Sequence, residues 1–591
     1  MYWSYDSRGS PTPPPKPPPK NGLKIAVPLP YQEERIPNGI HVIDMPDQRV
    51  DQAMGELHTQ WCPHQANLIA APTGSFKTAY IGRLIKWYAA RGKKTLVLGP
   101  RDMLRSEHKR RLPVLAGSKW GKVVESKNAS DEKGADLGCE SAELALDLTR
   151  EFRDVHLEVM TFQELAYQHK ALNLKKYSLV VIDEAHRAHT DALFDTSADF
   201  VLENIPEWFS GACRLYLTAT PGAILEDLVR VEKASSAYCP GTRFCSQVGC
   251  GQIQMYRFPN HFDGLSLHYY RDSDEIVAFI KAHPGEKFII FVSRREDTDN
   301  ISRSYCAKLK AAGIDVEYLD SHEKGSDTWK SLRKHNKFSC QVLVCTKVLD
   351  VGFSIVDDAL HHVVLESLDK TEFIQELGRK RRDIDEHIHV YVKAAPLNVL
   401  RTRLHQVEHA LSICEAGFRS QSCPNHRLLL EGWNDEDPAR LFSKLLIPTS
   451  ADTFKVRLSA YHTLLWQKGT LNKLIQMTDC YGDAAYPRLV HQWLDDPDGY
   501  SEENWLGFDS ELKHRTELVE YLEQHLGEFH SVDEYEEFAT HLRAQIIPLR
   551  NQQHDESRKL GCRALTNRMS ALNLPYSLEK IDNTFVLRRT N

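Results

Sequence analysis

The sequence lacks long apolar runs, and this absence excludes several classes of protein. No segment approaches the roughly 20 consecutive apolar residues that a transmembrane helix requires, and the N-terminal residues contain no apolar signal core. An internal repeat of fixed short period is also missing. We therefore expect a soluble, cytoplasmic protein.

Paired cysteine motifs are missing as well. The 13 cysteines are odd in number and irregularly spaced, which favours reduced thiols over a disulfide framework. Cys239, Cys245 and Cys250, with His261 further on, have the residue types of a four-ligand zinc site. Their spacings are not the two-residue knuckles that zinc sites favour, and no second paired half follows. Reduced thiols are the favoured interpretation, and zinc is the alternative.

The chain is long and carries charges of both signs. Its 591 residues are too many for a single hydrophobic core, because domains usually contain about 100–200 residues. A hydrophobic content of 41% and a charged content of 26% are typical of globular proteins. The net charge is −7, so binding to nucleic acid would require a local basic channel.

The sequence pattern divides the chain into four parts. Residues 1–22 form a proline-rich tail that can bury almost nothing, although it could also be a docking peptide for a proline-reading domain. From residue 23 to 400, short β-branched runs alternate with helical stretches, which predicts parallel sheets covered by helices. We place a domain boundary near residue 235, giving domains at 23–235 and 236–400. The predicted strands are Thr95–Leu98, Leu157–Met160, Leu179–Ile182, Arg214–Leu217, Phe288–Val292, Gln341–Cys345 and His361–Leu365.

Residues 401–591 are predicted to be a mostly helical accessory region. Leu and Tyr recur at helical spacing in Ser510–Phe529 and Val532–Gln545. In the last 35 or so residues, a helical run, Arg558–Leu572, precedes two extended pieces joined across Asp582-Asn583, a plausible hairpin turn. From Ser557 onward there are seven Lys or Arg and two acidic residues. This end of the chain could be a winged-helix-like nucleic-acid contact or a solvated basic face.

Residues 71–78, Ala-Pro-Thr-Gly-Ser-Phe-Lys-Thr, have the pattern of a phosphate-binding loop. Backbone N–H groups of such a turn point at phosphates, and the following helix N-terminus adds partial positive charge. The predicted nucleotide-binding residues here are Gly74, Ser75, Phe76, Lys77 and Thr78, with Thr78 placed to hold Mg²⁺.

The loop departs from the usual pattern at two positions. Glycine is expected immediately before the lysine, where this chain has Phe76, and Ala71 replaces the first loop glycine. We expect the phenyl ring to point away from the phosphates, and we do not expect its backbone to reach dihedral angles reserved for glycine. Gly74 keeps the turn, so nucleotide binding should persist.

A second motif follows about a hundred residues later. The apolar run Leu179–Ile182 predicts a buried parallel strand, and Asp183 and Glu184 emerge at its carboxyl end, where ligands of such sheets bind. Asp183 would hold Mg²⁺ through water, and Glu184 would orient and deprotonate the attacking water.

The ordered series of these segments resembles the motifs of superfamily 2 helicases of the DEAD/DEAH-box type. The resemblance covers roughly residues 45–395. The matching segments, motifs I, Ia, Ib, II, III, IV, V and VI in turn, are Ala71–Thr78, Leu98–Arg101, Met160–Thr161, Asp183–His186, Leu217–Pro221, Phe291–Ser293, Val344–Gly352 and Gln375–Arg382.

The resemblance implies an α/β fold with two RecA-like parallel-sheet domains in tandem that hydrolyse Mg-ATP between them. By position, Arg382 matches the arginine finger and Arg379 its γ-phosphate partner, beside Glu184 as the catalytic carboxylate. Gly352 matches a nucleotide contact. The family usually has a glutamine that reads the adenine upstream of the phosphate loop, and Gln48 and Gln52 are both candidates, with Gln48 favoured. The coupling residues are His186, Thr218, Thr220 and Gln375.

The family contacts nucleic acid mainly through backbone phosphates. The matching positions are Arg101, Thr161, Ser293, Arg294 and Thr346. The favoured hypothesis is an ATP-dependent helicase or translocase acting on DNA, with RNA as the alternative track. A catalytically weak ATP-gated clamp or scaffold, and a motor subunit of a restriction, repair or mobile-element complex, are the alternative functions. Protein partners could bind through residues 401–591.

Overall fold

The computed structural model describes residues 36–61, 64–100, 102–115, 122–125, 150–153, 156–193, 196–234, 253–292, 304–320, 326–346, 354–381, 386–419, 444–448, 454–546, 561–571, 574–581 and 584–590. The strands within these ranges are β1 (Ile40–Asp44), β2 (Ala66–Ala70), β3 (Lys94–Gly99), β4 (Lys122–Glu125), β5 (Arg150–Arg153), β6 (Leu157–Thr161), β7 (Tyr177–Ile182), β8 (Cys213–Thr218), β9 (Ile253–Arg257), β10 (Leu265–Tyr270), β11 (Lys287–Phe291), β12 (Val316–Leu319), β13 (Val342–Cys345), β14 (Leu360–Leu365), β15 (Ile388–Lys393), β16 (Leu446–Pro448), β17 (Phe454–Val456), β18 (Gly527–Glu528), β19 (Tyr576–Ile581) and β20 (Thr584–Arg589). The α-helices within the same ranges are α1 (Val50–Ala53), α2 (Lys77–Ala89), α3 (Asp102–Leu115), α4 (Phe162–Gln168), α5 (Arg187–Thr190), α6 (Thr196–Trp208), α7 (Leu225–Ala234), α8 (Ser273–Ala282), α9 (Tyr305–Ala311), α10 (Asp327–His335), α11 (Lys370–Leu377), α12 (Leu397–Arg419), α13 (Leu458–Tyr481), α14 (Ala485–Trp493), α15 (Phe508–Gln524), α16 (Val532–Ile546) and α17 (Cys562–Ala571).

The first unit is built on a seven-stranded parallel sheet with the order β1-β9-β2-β8-β7-β3-β6. Its central strands are mostly apolar and almost entirely buried, as parallel sheets covered by helices require. One hydrophobic cluster lies on each face of the sheet. Ala70, Ile182 and Thr218 end three of these strands, so the segments that follow them leave the sheet at its carboxyl edge.

The second unit is built on a six-stranded parallel sheet with the order β10-β15-β14-β11-β13-β12. Helices α8 and α9 contribute to its hydrophobic core. The side chain of Asp369 caps α11 by accepting a 3.0 Å hydrogen bond from the backbone N–H of Glu372. The prediction of two parallel-sheet domains in tandem is confirmed, and all seven predicted strands are present, with no end shifted by more than two residues.

The chain passes from the first unit to the second later than the boundary predicted near residue 235. Strand β9, Ile253–Arg257, pairs with β1 and β2 of the first sheet, and the first unit continues to Asn260. The predicted accessory region is also divided: residues 397–475 belong to the first unit and residues 476–591 to the second. The sequence pattern did not show that β9 belongs to the first sheet, because the regular spacing of predicted strands is interrupted between β8 and β9.

Helices dominate the residues beyond 400, as predicted. The helix predicted at Ser510–Phe529 was too long: α15 ends at Gln524, and the short strand β18 follows. The hairpin prediction is confirmed by the antiparallel pairing of β19 with β20, with Ile581 opposite Thr584. Within the described ranges, no helix combines the length and the apolar character needed to cross a membrane.

A histidine cluster occupies one face of the second sheet. His268 Nε2 and His389 Nδ1 share a hydrogen bond of 3.0 Å, and the His362 ring stacks on His389 at a centroid distance of 5.1 Å. His362 also lies 2.8 Å from the Glu286 carboxylate and hydrogen-bonds the Tyr391 hydroxyl. In the part of the chain described here, no group of three or more His, Cys, Asp or Glu has the arrangement of a metal site.

Burial sets the protonation of this cluster. It lowers the pKa of His268 to about 4, with His389 and His387 adding repulsion, and lowers the pKa of His362 to about 3, with His389 and His361 adding to the effect. The pKa of His389 is lowered for the same reason. The cluster is therefore neutral at pH 7.

This cluster predicts sensitivity of the second unit to acid. Because each folded-state pKa lies below the unfolded value of about 6.5, the unfolded chain binds more protons below that pH, and stability declines as pH falls from about 6.5 toward 4. Between pH 7.5 and pH 5.5, the melting temperature should fall less in His268→Gln than in the wild type. His405→Gln, which changes an exposed histidine on α12, should behave as the wild type. Equal pH dependence of the melting temperature in all three proteins would contradict the assignment.

Candidate active site

The predicted phosphate loop connects the carboxyl end of β2 to the start of α2. The backbone N–H of Ala71 donates to the carbonyl of Thr218, which ties the loop to β8. Lys77 Nζ donates to the carbonyls of Ala71 and Pro72, each at 2.8 Å, so its charge lies over the loop. The Ser75 hydroxyl donates to Pro72, which closes the turn.

Phe76 corrects one expectation from the sequence. It adopts the left-handed backbone conformation, with φ 67° and ψ 28°, at the residue before α2. Gly74 has φ 83°, so both left-handed positions of the turn are kept although one has a side chain. The phenyl ring is 46% exposed and lies under the Arg49 guanidinium at 3.6 Å. Stacking of this kind stabilises an exposed site by about 0.5–1 kcal/mol, comparable with the cost of about 1–2 kcal/mol for the left-handed backbone.

Asp183 lies at the carboxyl end of β7 and is nearly fully buried. Its Oδ2 is 2.9 Å from Nε2 of His108 on α3, and its Oδ1 accepts from the backbone N–H of Glu184. Burial alone would raise the pKa of Asp183, but the hydrogen bond and positive charge of His108, together with the charge of Lys77, hold this pKa below its ordinary value. The carboxylate is therefore ionised at neutral pH.

The residues after Asp183 connect β7 to β8. Glu184 has a left-handed φ of 51°, a conformation that costs energy for a residue with a side chain. His186 Nδ1 shares a 3.0 Å hydrogen bond with the Thr218 hydroxyl, whose oxygen also accepts from the backbone N–H of Thr220. The Thr220 hydroxyl is buried, with no hydrogen-bond partner among the described residues. His186 and Thr218 thus link the two strand ends within the first unit.

A buried ionic clamp joins this segment to α13. Asp227 on α7 lies 3.3 Å from Nδ1 of His189 and 2.8 Å from Nδ1 of His462. The Thr463 hydroxyl donates to the His189 carbonyl at 2.8 Å. Burial would raise the pKa of Asp227, but hydrogen bonds from both histidines hold it well below the usual value. Asp227 in turn raises the pKa of His462 against the opposing effect of burial.

Two further residues of the first unit were predicted to belong to the site, Gln48 and Thr161. Gln48 is exposed, two residues before Val50, whose N–H donates to the Ser75 carbonyl. Thr161 is buried, and its hydroxyl caps α4 by accepting from the N–H of Glu164, while the Glu164 carboxylate accepts from the N–H of Thr161. The Thr161 hydroxyl is therefore occupied by a capping box and is not displayed for a strand contact.

In the second unit, the structure brings Gln375 and Arg379 together. Both are buried, and Nη2 of Arg379 donates to Oε1 of Gln375 at 2.9 Å. The Arg379 carbonyl accepts from the backbone N–H of Ile355, so the segment after α11 is held against the segment before β14. Ser354 accepts from Nε of Arg381. Thr346 follows β13, and its N–H donates to the Leu319 carbonyl.

Other predicted positions lie outside the described residues. These are residues 1–22, Arg101, Cys239, Cys245, Cys250, Ser293, Arg294, Gly352 and Arg382.

His108 is the residue of the site that sequence reasoning missed. It lies within a helix that follows the second matched segment and is separated from Asp183 by 75 positions. A single histidine on a helix carries no local signal for this pairing, which depends on the adjacency of β3 and β7 in the sheet. By contrast, the cap at Thr161 had a readable signal, since Thr161-Phe-Gln-Glu164 has the capping-box spacing.

Comparison with protein families gives two matches in tandem. The family model described as "Type III restriction enzyme, res subunit" matches residues 26–223, and the one described as "Helicase conserved C-terminal domain" matches residues 272–383. The chain belongs to superfamily 2 of the helicases. The first match contains the phosphate loop and Asp183–His186, and the second contains Gln375 and Arg379.

Several solved structures are similar to this superfamily 2 chain. The Saccharomyces cerevisiae protein Dbp5, bound to RNA and ADP BeF3, is 14% identical with a TM-score of 0.40, over 60% of this chain and 86% of that chain. The Mycobacterium smegmatis helicase Lhr, bound to ssDNA and AMP-PNP, is 15% identical with a TM-score of 0.35, over 58% of this chain and 46% of that chain. A hypothetical ATP-dependent RNA helicase from Sulfolobus tokodaii is 17% identical with a TM-score of 0.23, over 59% and 92%. The comparison with curated proteins gives no match.

The left-handed backbone of Phe76 predicts an asymmetry between two substitutions. Phe76→Ala and Phe76→Gly both remove the ring and its stacking with Arg49, but only glycine also removes the backbone cost. Phe76→Gly should therefore be more stable than Phe76→Ala by about 1 kcal/mol in chemical unfolding. Equal stability of the two variants would show that this backbone conformation is not retained in solution.

The buried clamp predicts a large effect of neutralising its carboxylate. Asp227→Asn leaves His189 and His462 without their charged partner, so we expect a loss of about 3–5 kcal/mol in the free energy of unfolding of the first unit. The control is Glu207→Gln, an exposed carboxylate on α6, which should change stability by less than about 0.5 kcal/mol. If Asp227→Asn lowered the free energy of unfolding as little as the control does, the stabilising role of the clamp would be contradicted.

Proposed function

We propose that this superfamily 2 chain is an ATP-driven motor that hydrolyses Mg-ATP to move along or remodel a nucleic acid. The observation that carries the proposal is the meeting of Lys77, ionised Asp183 and Glu184 at the carboxyl edge of the first sheet. In parallel α/β sheets this edge is where ligands bind.

The phosphate loop is the proposed triphosphate site. The N-terminus of α2 and the Lys77 ammonium supply positive charge for the β- and γ-phosphates. The left-handed residues Gly74 and Phe76 support this role, because they let the turn keep its curvature. Gln48 is the proposed adenine contact, and its position two residues before Val50, which bonds to the loop, is compatible with that role.

The oxygen donors fit a magnesium ion. Thr78, at the second position of α2, and the ionised carboxylate of Asp183 are the hard ligands that Mg²⁺ prefers. Bound there, the ion would neutralise charge on the phosphates. Glu184 would then orient and deprotonate the attacking water, and the bond between His186 and Thr218 would connect this step to the end of β8.

Arg379 and Arg382 are the proposed cations that stabilise the charge of the transferring phosphoryl group. The buried hydrogen bond from Arg379 to Gln375 supports a fixed position for the Arg379 guanidinium. Gly352 is proposed as a further nucleotide contact.

Contact with the strand is proposed for Arg101, Ser293, Arg294 and Thr346, which match phosphate-binding positions. We propose DNA as the principal track. The match to the res subunit of a restriction enzyme supports this choice, since restriction enzymes act on DNA. It also supports a role as the motor subunit of a larger complex.

Phe76 favours a second candidate function, an ATP-gated clamp with little turnover. A side chain replaces glycine beside the proposed phosphate site, and its exposed ring could slow nucleotide exchange. The two functions differ in turnover, because a motor should reach about 1–10³ s⁻¹ with its track present.

The test measures ATP hydrolysis by the full chain with single- and double-stranded DNA and RNA, at low and moderate salt. We expect DNA to stimulate turnover most and the stimulation to fall with salt. Lys77→Ala should lower the stimulated rate at least about 100-fold, since it removes the charge at the γ-phosphate, whereas Lys86→Ala on the exposed face of α2 should not. Unchanged turnover in Lys77→Ala would refute the site, and DNA-dependent ATP binding without turnover would favour the clamp.

A further inference from the structure

Within the second unit, residues 508–546, 561–571, 574–581 and 584–590 form a small motif with its own hydrophobic core. The order of elements is α15, β18, α16, α17, β19 and β20, and the three strands pair in the order β18-β20-β19. A helix-strand-helix-helix-strand-strand order with this sheet is the arrangement of a winged helix, in which the last helix is the recognition helix and the hairpin is the wing. The core side chains include Leu518, Leu522, Phe538, Leu565, Met569 and Leu587.

Helix α17 is held so that one face points outward. Leu565 and Met569 are buried in the core. The Thr566 hydroxyl accepts from the N–H of Leu578 and donates to its carbonyl, each at 2.9 Å, which fixes α17 against β19. The orientation of α17 is therefore set by both packing and hydrogen bonds.

The outward face of α17 carries a polar stripe. Arg563, Asn567 and Ser570 are exposed and lie at positions i, i+4 and i+7, on one side of the helix. Arg and Asn are the side chains that pair with guanine and adenine edges in the major groove. With its side chains, an α-helix is about 10–12 Å wide, and the major groove of B-form DNA is about 12 Å wide.

Charge is segregated within the motif. Helices α15 and α16 contain nine acidic and three basic residues, a net charge of −6. Helix α17 and the hairpin strands contain one acidic and five basic residues, a net charge of +4. Lys580 and Arg588 on the hairpin are exposed. A polyanion would therefore be attracted to α17 and the hairpin, and repelled by α15 and α16.

We propose that helices α15–α17 and strands β18–β20 form a winged-helix site for double-stranded DNA, separate from the residues proposed to contact the motor's track. Helix α17 enters the major groove, where Arg563 and Asn567 contact base edges, and Lys580 and Arg588 contact phosphates. This inference rests on the proposed function in one respect only, the choice of nucleic acid as the class of partner. Duplex RNA fits poorly, because the major groove of A-form helices is too narrow for side chains to read.

The test measures binding of the full chain, without nucleotide, to a fluorescent DNA duplex, to RNA of the same sequence and to single strands. Arg563→Gln should weaken duplex DNA binding about 10-fold at an unchanged melting temperature. The control is Arg543→Gln on the acidic helix α16, which removes the same charge and should change the affinity less than 2-fold. Lys580→Ala should weaken binding equally for all duplex sequences and lower the salt slope by about one.

Three outcomes would overturn the site: equal losses in Arg563→Gln and Arg543→Gln, equal affinity for DNA and RNA duplexes, or no duplex binding. If duplex binding fails while single strands stimulate ATP hydrolysis, the proposed motor stands and the site falls. If duplex DNA binds through Arg563 but no nucleic acid stimulates hydrolysis, the site stands and the motor falls.

Discussion

The candidate site depends on keeping one buried carboxylate ionised at the end of a strand. Asp183 is almost inaccessible to solvent, and burial alone favours its protonated form. The hydrogen bond from His108 and the charge of Lys77 reverse that preference. This requirement explains the surrounding architecture: an apolar β7 buries the carboxylate, α3 delivers the histidine, and the loop before α2 places the lysine. Removing His108 or Lys77 would weaken the interactions that keep this carboxylate ionised against the effect of burial.

Much of this framework could be read from the sequence. Continuous apolar runs such as Leu179–Ile182 predict parallel strands because both faces must be covered, and the loop at 71–78 is a local pattern. Two features could not be read in this way. The left-handed backbone of Phe76 contradicts the local preference of a residue with a side chain, and Val50 and Arg49, from a distant segment, pack against the turn. The pairing of His108 with Asp183 depends on strand order in the sheet, which residue spacing does not encode.

The C-terminal region shows a different limit. Helical periodicity predicts that one face of a helix is buried but not which surface covers it. The helices were therefore predicted, whereas the association of residues 397–475 with the first unit was not. That association depends on contacts distant in sequence, such as Asp199 with Arg457 and Asp227 with His462. Strand β18 has only two residues, which is too short for an alternating pattern. The third strand of the C-terminal sheet therefore could not be predicted from the sequence.

The clamp lies close along the chain to Glu184, the residue proposed to activate water. Helix α5 begins three residues after Glu184, whose left-handed backbone is strained, and it contains His189. Any movement of α5 would change the distance between His189 and Asp227, which now lie 3.3 Å apart. Because Thr463 on α13 also binds the His189 carbonyl, that movement reaches α13 directly. A helix almost three hundred residues downstream therefore contacts the short helix that follows Glu184, so a chain ending before α13 would lose the contacts that hold α5 from that side.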